Sequence, residues 1–111
     1  MSHWRLRGPA RALAGERRVP GDKSIGHRAV LFAAIADGHA TVRGLSGGED
    51  NRRTVAALRA LGVAIEDLGP GELSIDGAGI DGLRAAGELD CGNSGTSIRL
   101  LCGLLAPQPF A

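Results

Sequence analysis

Two short segments each bring a small-residue turn, a helix start and cations together, a combination suited to small anions. The first is Pro20-Gly21-Asp22-Lys23-Ser24-Ile25-Gly26-His27-Arg28. Ser24 and Arg28 lie four residues apart and share a helix face. Lys23 stands at the helix entry, where unpaired backbone N–H groups and the positive end of the helix dipole already favour an anion. The second is Cys91-Gly92-Asn93-Ser94-Gly95-Thr96-Ser97-Ile98-Arg99. Its Gly-rich turn lets backbone amides approach a ligand closely, and Arg99 follows about one turn later. Either segment alone also reads as a capped helix with a surface Lys or Arg. Together they point to substrates with several negative groups, such as two phosphorylated small molecules meeting at facing helix ends. A nucleoside triphosphate is not expected, because a P-loop has Gly directly before its Lys and Asp22 occupies that place.

These segments need elements to hold them. From Ser24 to Ala36, Ile25, Ala29, Phe32, Ala33 and Ala36 recur at helical spacing, with Asp22 or Ser24 as N-cap and Gly38 as the stop. Val30, Leu31 and Ile35 fall in the same helix, so its later turns are expected to be covered on more than one face. His39 to Leu45 alternates as a short strand. Asp50 is expected to cap a second helix with Val55, Ala57, Leu58 and Leu61 inside, Arg52, Arg53 and Arg59 outside, and Gly62 as its end. Val63 to Asp67 and Glu72 to Asp76 read as a hairpin around Leu68-Gly69-Pro70-Gly71. Arg17, Arg18 and Val19 form a candidate strand stopped by Pro20, so residues 16–76 spell strand, helix, strand, helix, strand, strand. The two helix-to-strand passages resemble each other as a weak repeat. After a Gly-rich connection, Ile98, Leu101, Cys102 and Leu105 make a further helical stripe that Pro107 ends.

Composition bounds the possible classes. Of 111 residues, 27 are Leu, Ile, Val or Phe, enough for one core, and the length suits one small domain or part of a larger one. The 18 glycines mostly separate periodic segments, which argues for short elements joined by tight turns. Thirteen basic against 12 acidic residues give +1, no general field for a polyanion, and nucleic-acid binding is not expected. Residues 1–18 read as a basic leader, expected to be partly disordered, with five Arg and one Glu, and residues 19–111 as the folded part. The leader lacks the apolar run of a secretory signal, and no stretch approaches a membrane span. A soluble cytoplasmic protein is therefore the expectation. Cys91 and Cys102 have neither metal-ligand spacing nor His partners, so two free thiols packed inside are expected, with no metal site.

Pro20–Arg28 and Leu89–Arg99 closely resemble the two N-terminal signatures of the EPSP synthase (3-phosphoshikimate 1-carboxyvinyltransferase) family. The resemblance extends through Gly38, Gly47-Gly48-Glu49-Asp50 and Ala57 to Gly62, and covers about residues 19–106. It implies an α+β fold of the enolpyruvyl transferase (inverse α/β barrel) type, with one βαβαββ unit and the start of a second. It also implies transfer of the enolpyruvyl group of phosphoenolpyruvate to the 5-hydroxyl of 3-phosphoshikimate, releasing phosphate, in the shikimate pathway to chorismate and aromatic amino acids. No metal or organic cofactor is implied. By residue, the resemblance assigns Lys23, Ser24 and Arg28 to 3-phosphoshikimate. It assigns Lys23, Asn93, Gly95, Thr96 and Arg99 to phosphoenolpyruvate, and makes Lys23 and Asp50 catalytic. A methyl group on Gly95 is expected to crowd phosphoenolpyruvate and glyphosate, the family's inhibitor.

The sequence departs from the family at Gly26, where Ser or Thr is usual, and at Leu100, where some members have Pro. His27 is expected to be a helix-surface imidazole without proton-transfer duty. Family members have two domains of three such units with the active site between them, and are expected to be monomers. The chain therefore looks like an N-terminal fragment that lacks the family's acid–base carboxylates and is inactive alone. Three other readings compete. One is a UDP-N-acetylglucosamine 1-carboxyvinyltransferase, whose first motif has Lys-Asn where this sequence has Lys23-Ser24. The second is a non-catalytic phosphate-binding module, and the third an RNA 3′-phosphate cyclase, which near-neutral charge and three aromatic residues disfavour.

Overall fold

The computed structural model describes residues 2–9 and 11–110; Met1 and Ala10 of the expected leader, and Ala111, lie outside them. Three helices and a three-stranded sheet follow one another as α1 (Lys23–Ile35), β1 (Asp37–Arg43), α2 (Glu49–Ala60), β2 (Ala64–Gly69), β3 (Glu72–Ala78) and α3 (Gly95–Leu105). The sheet order is β1-β3-β2 with both pairings antiparallel, an α+β arrangement. Strand alternation separates the faces. Leu73 and Ile75 of β3, with Ala40 and Val42 opposite on β1, turn toward the helices, and Ile65 of β2 pairs with Ile75. On the other face, a His39–Asp76 hydrogen bond and an Arg43–Glu72 ion pair join the strands, both exposed and each at 2.8 Å.

The core sits between this sheet and α1 and α2, around Val30, Ala34, Leu58, Leu61 and Ile75, each at most 1% exposed. On α1, His27, Val30, Leu31 and Ala34 follow the i, i+3, i+4, i+7 spacing of one buried face. The helix is covered less fully than expected: Ile25 and Phe32 are 59% and 65% exposed. On that side α1 and α3 leave a groove of about 270 Å³ between Arg28, Leu31, Phe32, Ile35, Leu100 and Leu104.

Several local expectations are corrected. Arg17, Arg18 and Val19 form no strand; residues 11–22 carry no regular element, and Val19 is 75% exposed. One apolar residue after two arginines has little surface to bury, and the sheet pairs only β1, β2 and β3 among the described residues. Helix α1 ends at Ile35, before Gly38, because β1 begins at Asp37. Gly48, not Asp50, is the N-cap of α2; Asp50 stands in the first turn, where its carboxylate favours the helix dipole. The thiols are not packed inside: Cys91 is half-buried and Cys102 exposed. The cap of α1 follows expectation, since Asp22 Oδ1 accepts from the Ile25 amide at 2.8 Å; α3 is capped by Ser94, whose Oγ accepts from the Ser97 amide at 3.1 Å.

Candidate functional site

The starts of all three helices meet at Asp50, in the first turn of α2. Its carboxylate pairs with Lys23 Nζ, on the first residue of α1, at 2.8 Å. Its backbone carbonyl accepts a hydrogen bond from Ser97 Oγ, in the first turn of α3, at 3.2 Å. Three positive dipole ends therefore lie together, and the sequence-predicted Lys23, Ser24, Asn93, Gly95 and Thr96 lie at two of them. Lys23 and Ser24 are exposed, and the Asp50 carboxylate, first by accepting a hydrogen bond and then by its charge, raises the Lys23 pKa above its ordinary 10.5. The ammonium is charged at neutral pH. The carboxylate thus both holds this cation in place and offsets its charge.

Arg28 is exposed and reaches the groove between α1 and α3, one turn along the face that carries Ser24. Arg99 folds back to its own helix start, where Nη1 donates to the Gly95 carbonyl at 3.0 Å. A Cβ on Gly95 would stand 2.7 Å from that Nη1, so an added methyl displaces Arg99 before it meets any ligand. A separate cleft of about 360 Å³, lined by Leu45, Arg52, Val55, Arg59, Asp67 and Leu73, includes none of the sequence-predicted site residues. Among the described residues, no group of three or more His, Cys, Asp and Glu could hold a metal, and no helix is long and apolar enough to cross a membrane.

Sequence reasoning missed the residues that support these helix starts. Arg53, placed outside, bridges Glu49 and Asp90: its Nη2 donates to Glu49 at 3.0 Å and its Nη1 to Asp90 at 3.0 Å. Asp90 also accepts from the Gly92 amide at 2.7 Å. Gly92 has a φ of 55°, and a Cβ there would lie 2.6 Å from Arg53 Nε, so the turn before α3 needs a residue without a side chain. The signal available in sequence was acidic Glu49 four residues before Arg53.

His27 is the main correction at the site. It is fully buried, and its Nδ1 lies 2.8 Å from Thr54 Oγ1. Burial is the largest influence and lowers its pKa from the ordinary 6.5; Asp50 opposes this and Lys23 adds to it. The unfolded chain therefore takes up a proton near pH 6.5, whereas the folded chain does so only at lower pH. The His27 contribution to stability is complete above 6.5 and is lost as pH falls from there toward the folded value. Thermal melts of the wild-type chain should show an acid-side fall below pH 6.5 that shrinks in His27→Gln. An unchanged fall would remove this residue as its source.

Asn51 is also fully buried, and neither Nδ2 nor Oδ1 of its amide has a hydrogen-bond partner among the described residues. Its amide occupies the space above Gly26: a Cβ on Gly26 would lie 2.6 Å from Asn51 Nδ2 and 2.8 Å from Leu45 Cδ1. The Gly at 26 is thus matched to Asn51 on the facing helix. Gly26→Ala is expected to lower stability by about 1 kcal/mol in urea denaturation, because overpacking outweighs the gain in helix propensity. A stabilised variant would show that the α1–α2 contact is looser than this.

A family profile described as EPSP synthase (3-phosphoshikimate 1-carboxyvinyltransferase) matches residues 8–111. Among curated proteins, a 3-phosphoshikimate 1-carboxyvinyltransferase of Pelobacter propionicus is 59% identical over 103 residues, covering 92% of this chain and 24% of that protein. The protein of the same name from Halorhodospira halophila is 55% identical over 109 residues, covering 97% of this chain and 24% of that protein. Among solved structures, EPSP synthase from Acinetobacter baumannii matches with a TM-score of 0.79 at 49% identity, over 85% of this chain and 22% of that one. The chain thus spans about a quarter of the length of the relatives it matches.

Proposed function

Because the chain belongs to the EPSP synthase family, we propose that it supplies part of the anion-binding site for enolpyruvyl transfer from phosphoenolpyruvate to the 5-hydroxyl of 3-phosphoshikimate. The observation that carries this reading is the meeting of the α1, α2 and α3 starts at Asp50, with Lys23 among them. In the reaction, the phosphoenolpyruvate methylene gains a proton, and the 5-hydroxyl gives up its proton as its oxygen bonds to C2. Phosphate then leaves and a methyl proton is lost, giving 5-enolpyruvylshikimate 3-phosphate. Charge from two phosphates and a carboxylate gathers at one place, and preorganised cations and backbone donors stabilise it.

Within that scheme, Lys23 supplies a point charge between the two substrates, and Ser24 and Arg28 hold the shikimate phosphate. Asn93, Gly95, Thr96 and Arg99 hold phosphoenolpyruvate. Asp50 keeps the Lys23 ammonium in place and is the carboxylate nearest to it for proton transfer. Neither a metal nor an organic cofactor enters any step, and the partners are small molecules in solution.

A chimera tests the reading. Residues 8–110 replace the matching segment of the Pelobacter propionicus relative, and phosphate release is followed with both substrates. Release that depends on 3-phosphoshikimate is expected; a folded chimera without it would overturn the assignment. In the same chimera, Arg28→Lys should raise the KM for 3-phosphoshikimate about tenfold, because Lys cannot reproduce the forked donor geometry of a guanidinium. An unchanged KM would take Arg28 out of the phosphate site.

A further inference from the structure

Four of the buried polar side chains form one continuous run that the proposed chemistry does not use. His27 Nδ1 lies 2.8 Å from Thr54 Oγ1, Thr54 Oγ1 lies 2.7 Å from Ser97 Oγ, and Ser97 Oγ lies 2.7 Å from Ser94 Oγ. All four residues are at most 3% exposed, and the run crosses from α1 through α2 to α3.

Proton accounting gives the run a direction. A hydroxyl has one proton to donate, and Ser97 Oγ donates its proton to the Asp50 carbonyl. Toward Thr54 and Ser94 it must therefore accept, so both of those hydroxyls donate to it. With its only proton spent on Ser97, Thr54 accepts from His27. The neutral imidazole is thereby fixed with its proton on Nδ1. Its buried Nε2 is left as a bare acceptor, consistent with the absence of a hydrogen-bond partner at that atom. At the far end, Ser94 accepts from the Ser97 amide at 3.1 Å while it donates to the Ser97 hydroxyl, which orients the cap of α3.

The two ends of the run lie beside the two anion-binding segments. His27 adjoins Arg28 and shares the first turns of α1 with Lys23, and Ser94 stands between Asn93 and Gly95. We propose that Thr54 and Ser97 are positioning residues that set the spacing between the Lys23–Arg28 and Asn93–Arg99 segments, acting through His27 and Ser94. This rests on the reading of those segments as substrate sites. Surface contacts alone would let the start of α3 slide against α1. A run of directional bonds in a dry interface fixes it, because breaking one link leaves a buried polar atom unpaired.

The test uses the 111-residue chain labelled with ¹⁵N, as wild type, Thr54→Val, Thr54→Ser and Ser97→Ala. In the wild type, the His27 ring nitrogens should show the proton on Nδ1. Thr54→Val should disturb that tautomer and move the Gly95 and Thr96 amides. It should weaken phosphoenolpyruvate binding about fivefold, the effect of one buried hydrogen bond. Binding of 3-phosphoshikimate, read at Ser24, should change by less than about twofold on the same scale. Thr54→Ser should restore both signatures, and Ser97→Ala should repeat the loss if Thr54→Val does not fold. A wild-type proton on Nε2 would overturn the proposal, as would unmoved Gly95 and Thr96 amides in both Thr54→Val and Ser97→Ala. A wild-type chain that binds neither ligand would overturn the substrate reading instead, leaving the tautomer and the amide shifts to decide for or against the run.

Discussion

Leu58→Ala is expected to lower the stability of the chain by about 3 kcal/mol in urea denaturation, a large part of what a small domain has. Leu58 is completely buried on α2, in the core that also holds Val30, Leu61 and Ile75. Removing its side chain leaves a cavity where the sheet, α1 and α2 meet, and the surrounding backbone can close it only in part. The functional cost follows the structural one, because α2 carries Asp50 and Thr54, which hold the starts of α1 and α3. Phe32→Ala is the control: it deletes more atoms from a side chain that is 65% exposed, and should cost much less. Equal losses from the two variants would mean that the core is not centred on α2.

Lys23→Met should weaken binding of 3-phosphoshikimate about a hundredfold, since it removes a charge-assisted contact and also changes the sign of the local field. In the wild type, the ammonium and the Asp50 carboxylate offset each other at 2.8 Å. Without Lys23, the carboxylate alone faces the incoming phosphate from the start of α2. Lys23→Met combined with Asp50→Asn should therefore bind better than Lys23→Met alone, a direction that simple loss of two side chains would not produce. Both variants should melt near the wild-type temperature, because the Lys23 side chain is about half exposed and water screens its pairing with the half-buried Asp50. If the double variant bound more weakly than the single one, Asp50 would be contacting the ligand itself.

Local periodicity made much of this molecule legible. The stripes of α2 and α3 and the hairpin of β2 and β3 are written in spacings of four residues or fewer, and the structure has them within a residue or two. The two motifs were legible for the same reason, since a helix start and its cations are neighbours in sequence. What sequence did not show depends on distant partners. His27 reads as a surface residue when judged by Lys23 and Arg28 around it. It is buried because it shares a face with Val30, Leu31 and Ala34, and because Thr54, 27 residues away, pairs with its Nδ1. Ser97 and Thr54 are 43 residues apart and carry no mutual signal in a single sequence. A hydroxyl beside Val55, or one beside Ile98, looks like a tolerated polar residue until the two are seen to touch. The strand expected at Arg17–Val19 fails for a related reason: alternation cannot make a strand where no ladder receives it.

The claim on which the rest depends is that the starts of α1 and α3 form one anion-binding surface around Asp50. Amide resonances of the 111-residue chain, followed while 3-phosphoshikimate and phosphoenolpyruvate are added, test it most directly. Saturable shifts at Ser24, Arg28, Gly95 and Thr96, weakened by added salt, are the expected result. Shifts confined to the arginines of residues 5–18, with those four amides unmoved, would contradict it.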